Sequence, residues 1–190
     1  MRQVAGLVLA AGEGRRFGGP KALVEVDGER LVDRAVRVLR EGGCELVYVV
    51  SGAVPLDVAG ATTVVNDDWR TGMASSVRIG IGSLPAVVDA VVISLVDQPG
   101  IGADVVTRLV DRLREGHRLV VATYGGQRRN PVGVARPLWA AVRASAVGDE
   151  GVRAFIREHP DQVEAVECAD IADPTDADAP ADLDAIRPRP

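Results

Sequence analysis

At 190 residues with 47% hydrophobic content, the chain is long enough for one domain with a substantial core, expected to span 1–185 with a short tail at 186–190. A net charge of −5, with only two each of Trp, Tyr and Phe, argues against a nucleic-acid partner, which calls for a basic face or stacking aromatics. No apolar run approaches the roughly 20 residues that span a bilayer, and Cys44 and Cys168 lack metal-ligand spacing. A cytoplasmic protein with reduced thiols is therefore expected.

Residues 3–9 form an apolar run of strand length, and a glycine-rich loop follows: Gly12-Glu13-Gly14-Arg15-Arg16-Phe17-Gly18-Gly19-Pro20-Lys21. From Leu31 the spacing turns helical, with Leu31, Ala35, Val38 and Leu39 on one face and Gly42-Gly43 as the stop. Lys21 is the sole lysine among 22 basic residues. A compact ammonium suits a phosphate as a point charge, where Arg brings a planar fork. Strand, glycine turn, cations and helix together describe an anion cradle, the alternative being a solvated turn. Two familiar fingerprints do not fit. A dinucleotide Gly-x-Gly-x-x-Gly would need glycine where Phe17 stands and an acid at the end of the next strand. A Walker A loop would need Gly-Lys-Ser/Thr, but Pro20 separates Gly19 from Lys21 and Ala22 follows.

Further strand-length runs lie at 46–51, 62–65, 90–95 and 119–123. A helical face joins Val105, Leu109, Val110 and Leu113, and short helices are expected at 137–145 and 150–158. Tyr124-Gly125-Gly126 reads as a hairpin turn into 131–134. The alternation predicts a three-layer α/β fold, doubly wound, with a mostly parallel sheet and a small antiparallel excursion. In such sheets ligands sit beyond the carboxyl ends of the strands. That rule gathers the loop at 10–21 with the segments that follow Val65 and Leu95. After Leu95 comes Asp97, placed either to hold Mg²⁺ against a phosphate or to cap the next helix. After Val65 come Asn66, then Ser75 and Ser76 at a helix start, as ligands for a base or ribose or as ordinary caps.

Leu9-Ala10-Ala11-Gly12, Gly14, Arg16-Phe17-Gly18 and Lys21 together resemble the opening motif of the MobA-like nucleotidyltransferases. So do Asn66 with Gly72-Met73 and Ser75-Ser76, Asp97-Gln98-Pro99, Gly148-Asp149-Glu150-Gly151, and the tail from Asp176 to Leu183. The pattern is most similar to the molybdenum cofactor cytidylyltransferase branch. That resemblance implies a Rossmann-like fold and a Mg²⁺-dependent transfer of a nucleoside monophosphate to a phosphorylated acceptor, with pyrophosphate released. It also implies Lys21, Arg16 and Asp97 as catalytic residues. The nucleotide would be bound by Leu9, Ala10, Ala11, Gly12, Gly14, Arg16, Lys21, Asn66, Ser75 and Ser76. The metal would be held by Asp97 with Asp178, provided that the acidic tail folds back rather than forming a disordered linker. Leu-Ala-Ala-Gly at the loop entry is the form that goes with pyrimidine use, which favours CTP.

Asn130 and Asp149 are the candidates for the acceptor, although Arg129-Asn130-Pro131 replaces the family's Gly-His-Pro. The neighbouring Arg128 and Arg129 either meet an anionic acceptor or form a solvated hairpin. A molybdoenzyme or its chaperone is the implied protein partner. Two other functions stay open: an NAD(P)H-dependent oxidoreductase of the nicotine blue type, named among relatives of the family, and a non-catalytic nucleotide-binding partner in molybdoenzyme maturation.

Overall fold

The computed structural model describes residues 2–179 and 181–182. The tail at 186–190, and Pro180 and Leu183 of the C-terminal motif, lie outside the described residues. In chain order the elements are β1 (Val4–Leu9), β2 (Glu25–Val26), β3 (Glu29–Arg30), α1 (Leu31–Glu41), β4 (Leu46–Ser51), β5 (Thr62–Val65) and α2 (Met73–Gly82). Then come β6 (Ala90–Leu95), α3 (Ala103–Glu115), β7 (Leu119–Tyr124), β8 (Gln127–Ala135), α4 (Trp139–Ser145), α5 (Arg153–Glu158) and β9 (Val163–Glu167). Seven strands form one sheet in the order β5-β4-β1-β6-β8-β7-β9, and β2 pairs with β3 in a separate antiparallel ribbon. Within the large sheet only β8 runs against its neighbours. It is the excursion expected at 131–134, although it begins earlier, at Gln127, and runs to Ala135.

All six residues of β1 are buried, because parallel partners flank it and helices cover both faces. Val4 and Val8 point to the layer of α1 and α3, where Val32, Val36, Leu39, Leu109 and Leu113 pack. Leu7 and Leu9 point to the opposite layer, against Val77 and Ile81 of α2, Trp139 of α4 and Phe155 of α5. The fold is thus the three-layer, Rossmann-like arrangement that the alternation predicts. Cys44 and Cys168 are free and buried, and burial pushes the Cys44 thiol up to about 12. No described helix is long and apolar enough to cross a membrane.

Topology fixes where a ligand belongs. From β1 the chain lays down β4 and then β5 on one side, and α2 carries it back to β6 on the other side of β1. The direction of winding reverses between β1 and β6, and in open α/β sheets the crevice for ligands opens at that switch point.

Three local features go beyond the sequence reading. Asp27 and Gly28, both at positive φ, turn the β2–β3 ribbon. Edge strand β9 pairs with β7. At its end the Glu167 carboxylate accepts the N–H groups of Gly125 (2.8 Å), Gly126 (3.1 Å) and Ala169 (3.1 Å) and the Thr123 hydroxyl (2.9 Å). Those donors hold its pKa at about 2 and pin the β7–β8 turn to the sheet edge.

Candidate functional site

A cleft of about 630 Å³ opens beyond the carboxyl ends of β1 and β6. Its first wall is the glycine-rich loop. Gly14 sits at φ +64°, and its carbonyl accepts the amides of Phe17, Gly18 and Gly19, so the loop folds back on itself. A Cβ on Gly14 would lie 1.9 Å from the Gly19 carbonyl oxygen, which makes this glycine a requirement of the fold. Gly12 is different. A Cβ there would meet nothing within 4 Å and has no adverse φ to overcome, yet the residue lines the cleft. The amides of Gly12 to Arg16 find no acceptor among the described residues, so bare N–H groups are available to an anion.

The cations of this loop enter a charge cluster with the carboxylates that face it. Lys21 Nζ donates to Asp97 Oδ2 and to Asp178 Oδ1, both at 2.9 Å, and Arg16 lies 3.7 Å from the other oxygen of Asp178. Burial works against the Lys21 ammonium, but hydrogen bonds and charge from Asp178 and Asp97 outweigh it and raise its pKa. The Lys21 hydrogen bond and charge hold the Asp178 carboxyl below its usual range. Asp97 does not cap the next helix: Gly102 is the N-cap of α3, with no side-chain cap there, and the Asp97 carboxylate faces Lys21.

Asp178 reaches this cluster because the acidic tail folds back. The Ala177 amide donates to the Asp97 carbonyl at 2.8 Å, and buried Gln98 donates to Asp176 Oδ1 at 2.8 Å and to the Pro174 carbonyl at 3.3 Å. Asp182 then accepts the amides of Asp178 and Ala179, turning the chain over the loop. Asp176, half-buried behind Asp97 and Asp178, has its carboxyl pushed up by burial and by those neighbouring charges.

The segment after β5 forms the far wall. Buried Asn66 donates to Ser75 Oγ (2.8 Å) and Ser76 Oγ (3.0 Å), and its own oxygen accepts the Asp68 amide. Ser75 returns its hydroxyl to the Asp68 and Gly72 carbonyls. Asn66 and Ser75 therefore sit behind the wall and hold it in shape, while Ser76 lines the cleft. Ala10 is likewise buried, just past the end of β1, and not on the cleft surface. The start of α2 is closed by the loop before α5, where the Gly148 carbonyl accepts the Ala74 amide (2.8 Å) and Asp149 Oδ1 the Met73 amide (3.3 Å). Asp149 faces the cleft. Asn130 does not, because it sits in the irregular stretch of β8 opposite Val121 and Ala122, its carbonyl accepting the Tyr124 hydroxyl. Arg128 and Arg129 are exposed on the hairpin and are absent from the cleft walls. Trp69, Arg70 and Leu95 line the cleft without having been singled out by the sequence. An aromatic in an irregular segment was the only signal for the first two.

Residues 6–163 match the MobA-like NTP transferase domain family. The chain is 35% identical to a nicotine blue oxidoreductase of Paenarthrobacter nicotinovorans, over 92% of both proteins. It is 32% identical to a probable molybdenum cofactor guanylyltransferase of Opitutus terrae, over 81% of this chain and 76% of that one. Among solved structures, the Mycobacterium sp. strain JC1 homologue of Mycobacterium tuberculosis Rv0371c superimposes with a TM-score of 0.85 at 28% identity, covering 98% of each chain.

Proposed function

The chain belongs to the MobA-like NTP transferase family, and from that membership we propose a Mg²⁺-dependent cytidylyltransferase that moves CMP from CTP to a phosphorylated acceptor of the molybdopterin type. One observation carries the reading: a single ammonium held between two carboxylates, at the end of a glycine loop whose Gly12 to Arg16 amides are unclaimed. An acceptor phosphate oxygen would attack the α-phosphorus. The bond to the bridging oxygen would break, and pyrophosphate would leave with the electron pair. No proton needs to move, so positioning and charge neutralisation supply the rate. Lys21 and Arg16 neutralise the triphosphate, and the amides of Gly12 to Arg16 receive its terminal oxygens.

The carboxylates fit Mg²⁺. A cation already rests between them in the form of the Lys21 ammonium, and Mg²⁺ favours one or two carboxylates completed by substrate phosphates. Among the cleft residues the cations Arg15, Arg16, Lys21 and Arg70 are matched by Glu13, Asp97, Asp149 and Asp178. A triphosphate that draws Lys21 away would leave Asp97 and Asp178 facing each other, and a divalent ion would relieve that repulsion. When bound, the ion would add charge neutralisation at the phosphates. CTP is favoured because the Ala11 methyl occupies the space beside Gly52 and Trp69, leaving less room for a two-ring base.

Thermal unfolding with CTP, GTP or NADPH, with and without Mg²⁺, tests the reading. Ligand at 100 times its Kd adds about 2.7 kcal/mol, or roughly 5–10 °C at this size. A CTP shift that needs Mg²⁺ and vanishes in Asp97→Asn is expected; equal shifts in that variant would remove the metal role. A second reading, an oxidoreductase, is favoured by the 35% identity to the nicotine blue oxidoreductase. A shift with NADPH and none with nucleoside triphosphates would select it.

A further inference from the structure

Both tryptophans of the chain carry an arginine on one ring face, and the two pairs differ in what anchors the arginine. Arg136 lies over Trp139 at 4.3 Å, tied down by hydrogen bonds to the Val88 and Pro85 carbonyls, and Trp139 is buried with its N–H donating to the Val134 carbonyl. Arg70 lies over Trp69 at 4.4 Å, but no hydrogen bond or ion pair holds it among the described residues, and both side chains line the cleft. The first pair is core packing. The second is a ring face covered only by a loosely held cation.

The root of Trp69 is fixed. A Cβ at Gly52 would fall 2.7 Å from Trp69 Cβ and 2.9 Å from Ala11 Cβ, so a bare backbone after β4 lets these two residues meet above it. Sheet order then sets direction. Lys21 and Asp97 stand at the β1–β6 side of the cleft, whereas Gly52 and Trp69 follow β4 and β5 on the opposite side of β1. A nucleotide with its phosphates at Lys21, extended across the end of β1, brings its base to Trp69.

We propose that the Trp69 indole is the stacking platform for the nucleobase and that the base takes the place of the Arg70 guanidinium on that face. The inference rests on the nucleotide-site reading above and adds the residue that grips the ring. A solvent-exposed cation–π contact is weaker than base-on-indole stacking, so the exchange favours the base. The displaced Arg70 keeps its charge at the cleft.

Intrinsic fluorescence tests this directly, because Trp139 is buried and, of the two tryptophans, only Trp69 lines the cleft. CTP with Mg²⁺ should quench wild-type emission and protect it from acrylamide. Arg70→Ala should make the free chain more quenchable by acrylamide. Trp69→Leu, which keeps apolar bulk above Gly52, should weaken CTP binding measured by calorimetry about tenfold, while Trp69→Phe should retain most of it. Circular dichroism melts confirm that each variant is folded. If wild type binds CTP by calorimetry but shows no fluorescence response, and Trp69→Leu binds it equally well, the stacking role is overturned and the nucleotide site survives. If wild type binds neither CTP nor GTP, both readings fall together.

Discussion

Gly72→Ala adds one methyl group, and the structure indicates a disproportionate cost. Gly72 sits at φ +109° and ψ 173°, a conformation that costs an L-residue roughly 1–3 kcal/mol. A Cβ there would lie 2.5 Å from the Gly148 carbonyl oxygen and 2.8 Å from Asp149 Oδ1. The first of these is backbone and cannot swing aside, so the 148–149 turn must withdraw from α2. Withdrawal breaks the 2.8 Å bond from the Ala74 amide to Gly148, worth about 1 kcal/mol net.

The total is about 2–4 kcal/mol, which at roughly 2–4 °C per kcal/mol for a chain of this size lowers Tm by about 5–15 °C. Differential scanning calorimetry of Gly72→Ala beside wild type measures it. The same shift displaces Asp149 from the cleft rim, so any ligand-induced gain in Tm should shrink as well. A Tm within 2 °C of wild type would refute the argument, since it would mean that the turn and the helix start are not locked together as the contacts require.

Gly12→Ala is the complementary case: its Cβ meets nothing, so Tm should stay within about 2 °C of wild type. Nucleotide affinity by calorimetry should nevertheless fall at least tenfold, because the new methyl projects where phosphates approach; unchanged affinity would remove the phosphates from this loop. Lys21→Met should cut pyrophosphate release by about 10²–10³-fold, as loss of a charge-stabilising group does, against little change in an exposed Arg143→Ala control. It should also raise hydrogen exchange at 176–179, since Asp178 loses its ammonium partner. Glu167, with a folded pKa of about 2 against 4.5 unfolded, contributes stability that is fully present above pH 4.5 and fades as pH falls toward 2. Glu167→Gln should therefore lower Tm at pH 7 and flatten the Tm profile between pH 4.5 and 2; a profile parallel to wild type would mean the carboxylate does not hold the β7–β8 turn.

How much of this was legible in the sequence depended on whether an element leaves a local trace. β1 did, because a strand buried on both faces must be apolar at every position, and the glycine-rich loop after it announces the anion site. Edge strand β9 did not: Glu164 and Glu167 interrupt it and Val166 alone is buried, so no apolar run marks it. The β2–β3 ribbon had a signal in Asp27-Gly28, but two-residue strands carry no pattern to support it. Ser75 and Ser76 look equivalent as letters, yet successive helix positions diverge by about 100°, and one turns to the Gly72 carbonyl while its neighbour reaches the cleft. The tail was ambiguous for a different reason. What fixes it is a backbone bond from Ala177 to Asp97, across 80 residues, and such a contact writes nothing periodic into either segment.

The lone lysine joins the two kinds of information. Its rarity in an arginine-rich chain marks the position, and the structure supplies the reason. Only 14% of the Lys21 side chain is exposed, and its ammonium sits between two carboxylates, using two of its three donors. A guanidinium carries its donors in a rigid planar fork, whereas the ammonium is a compact point charge whose donors can turn toward both Asp97 and Asp178. The third donor stays available to an anion in the cleft, so the same side chain can hold the two carboxylates together and still meet an incoming phosphate by rotating about its own stem. Replacing it with arginine keeps the charge but trades a compact, rotatable contact for a planar fork, which is why charge alone does not account for a lysine here.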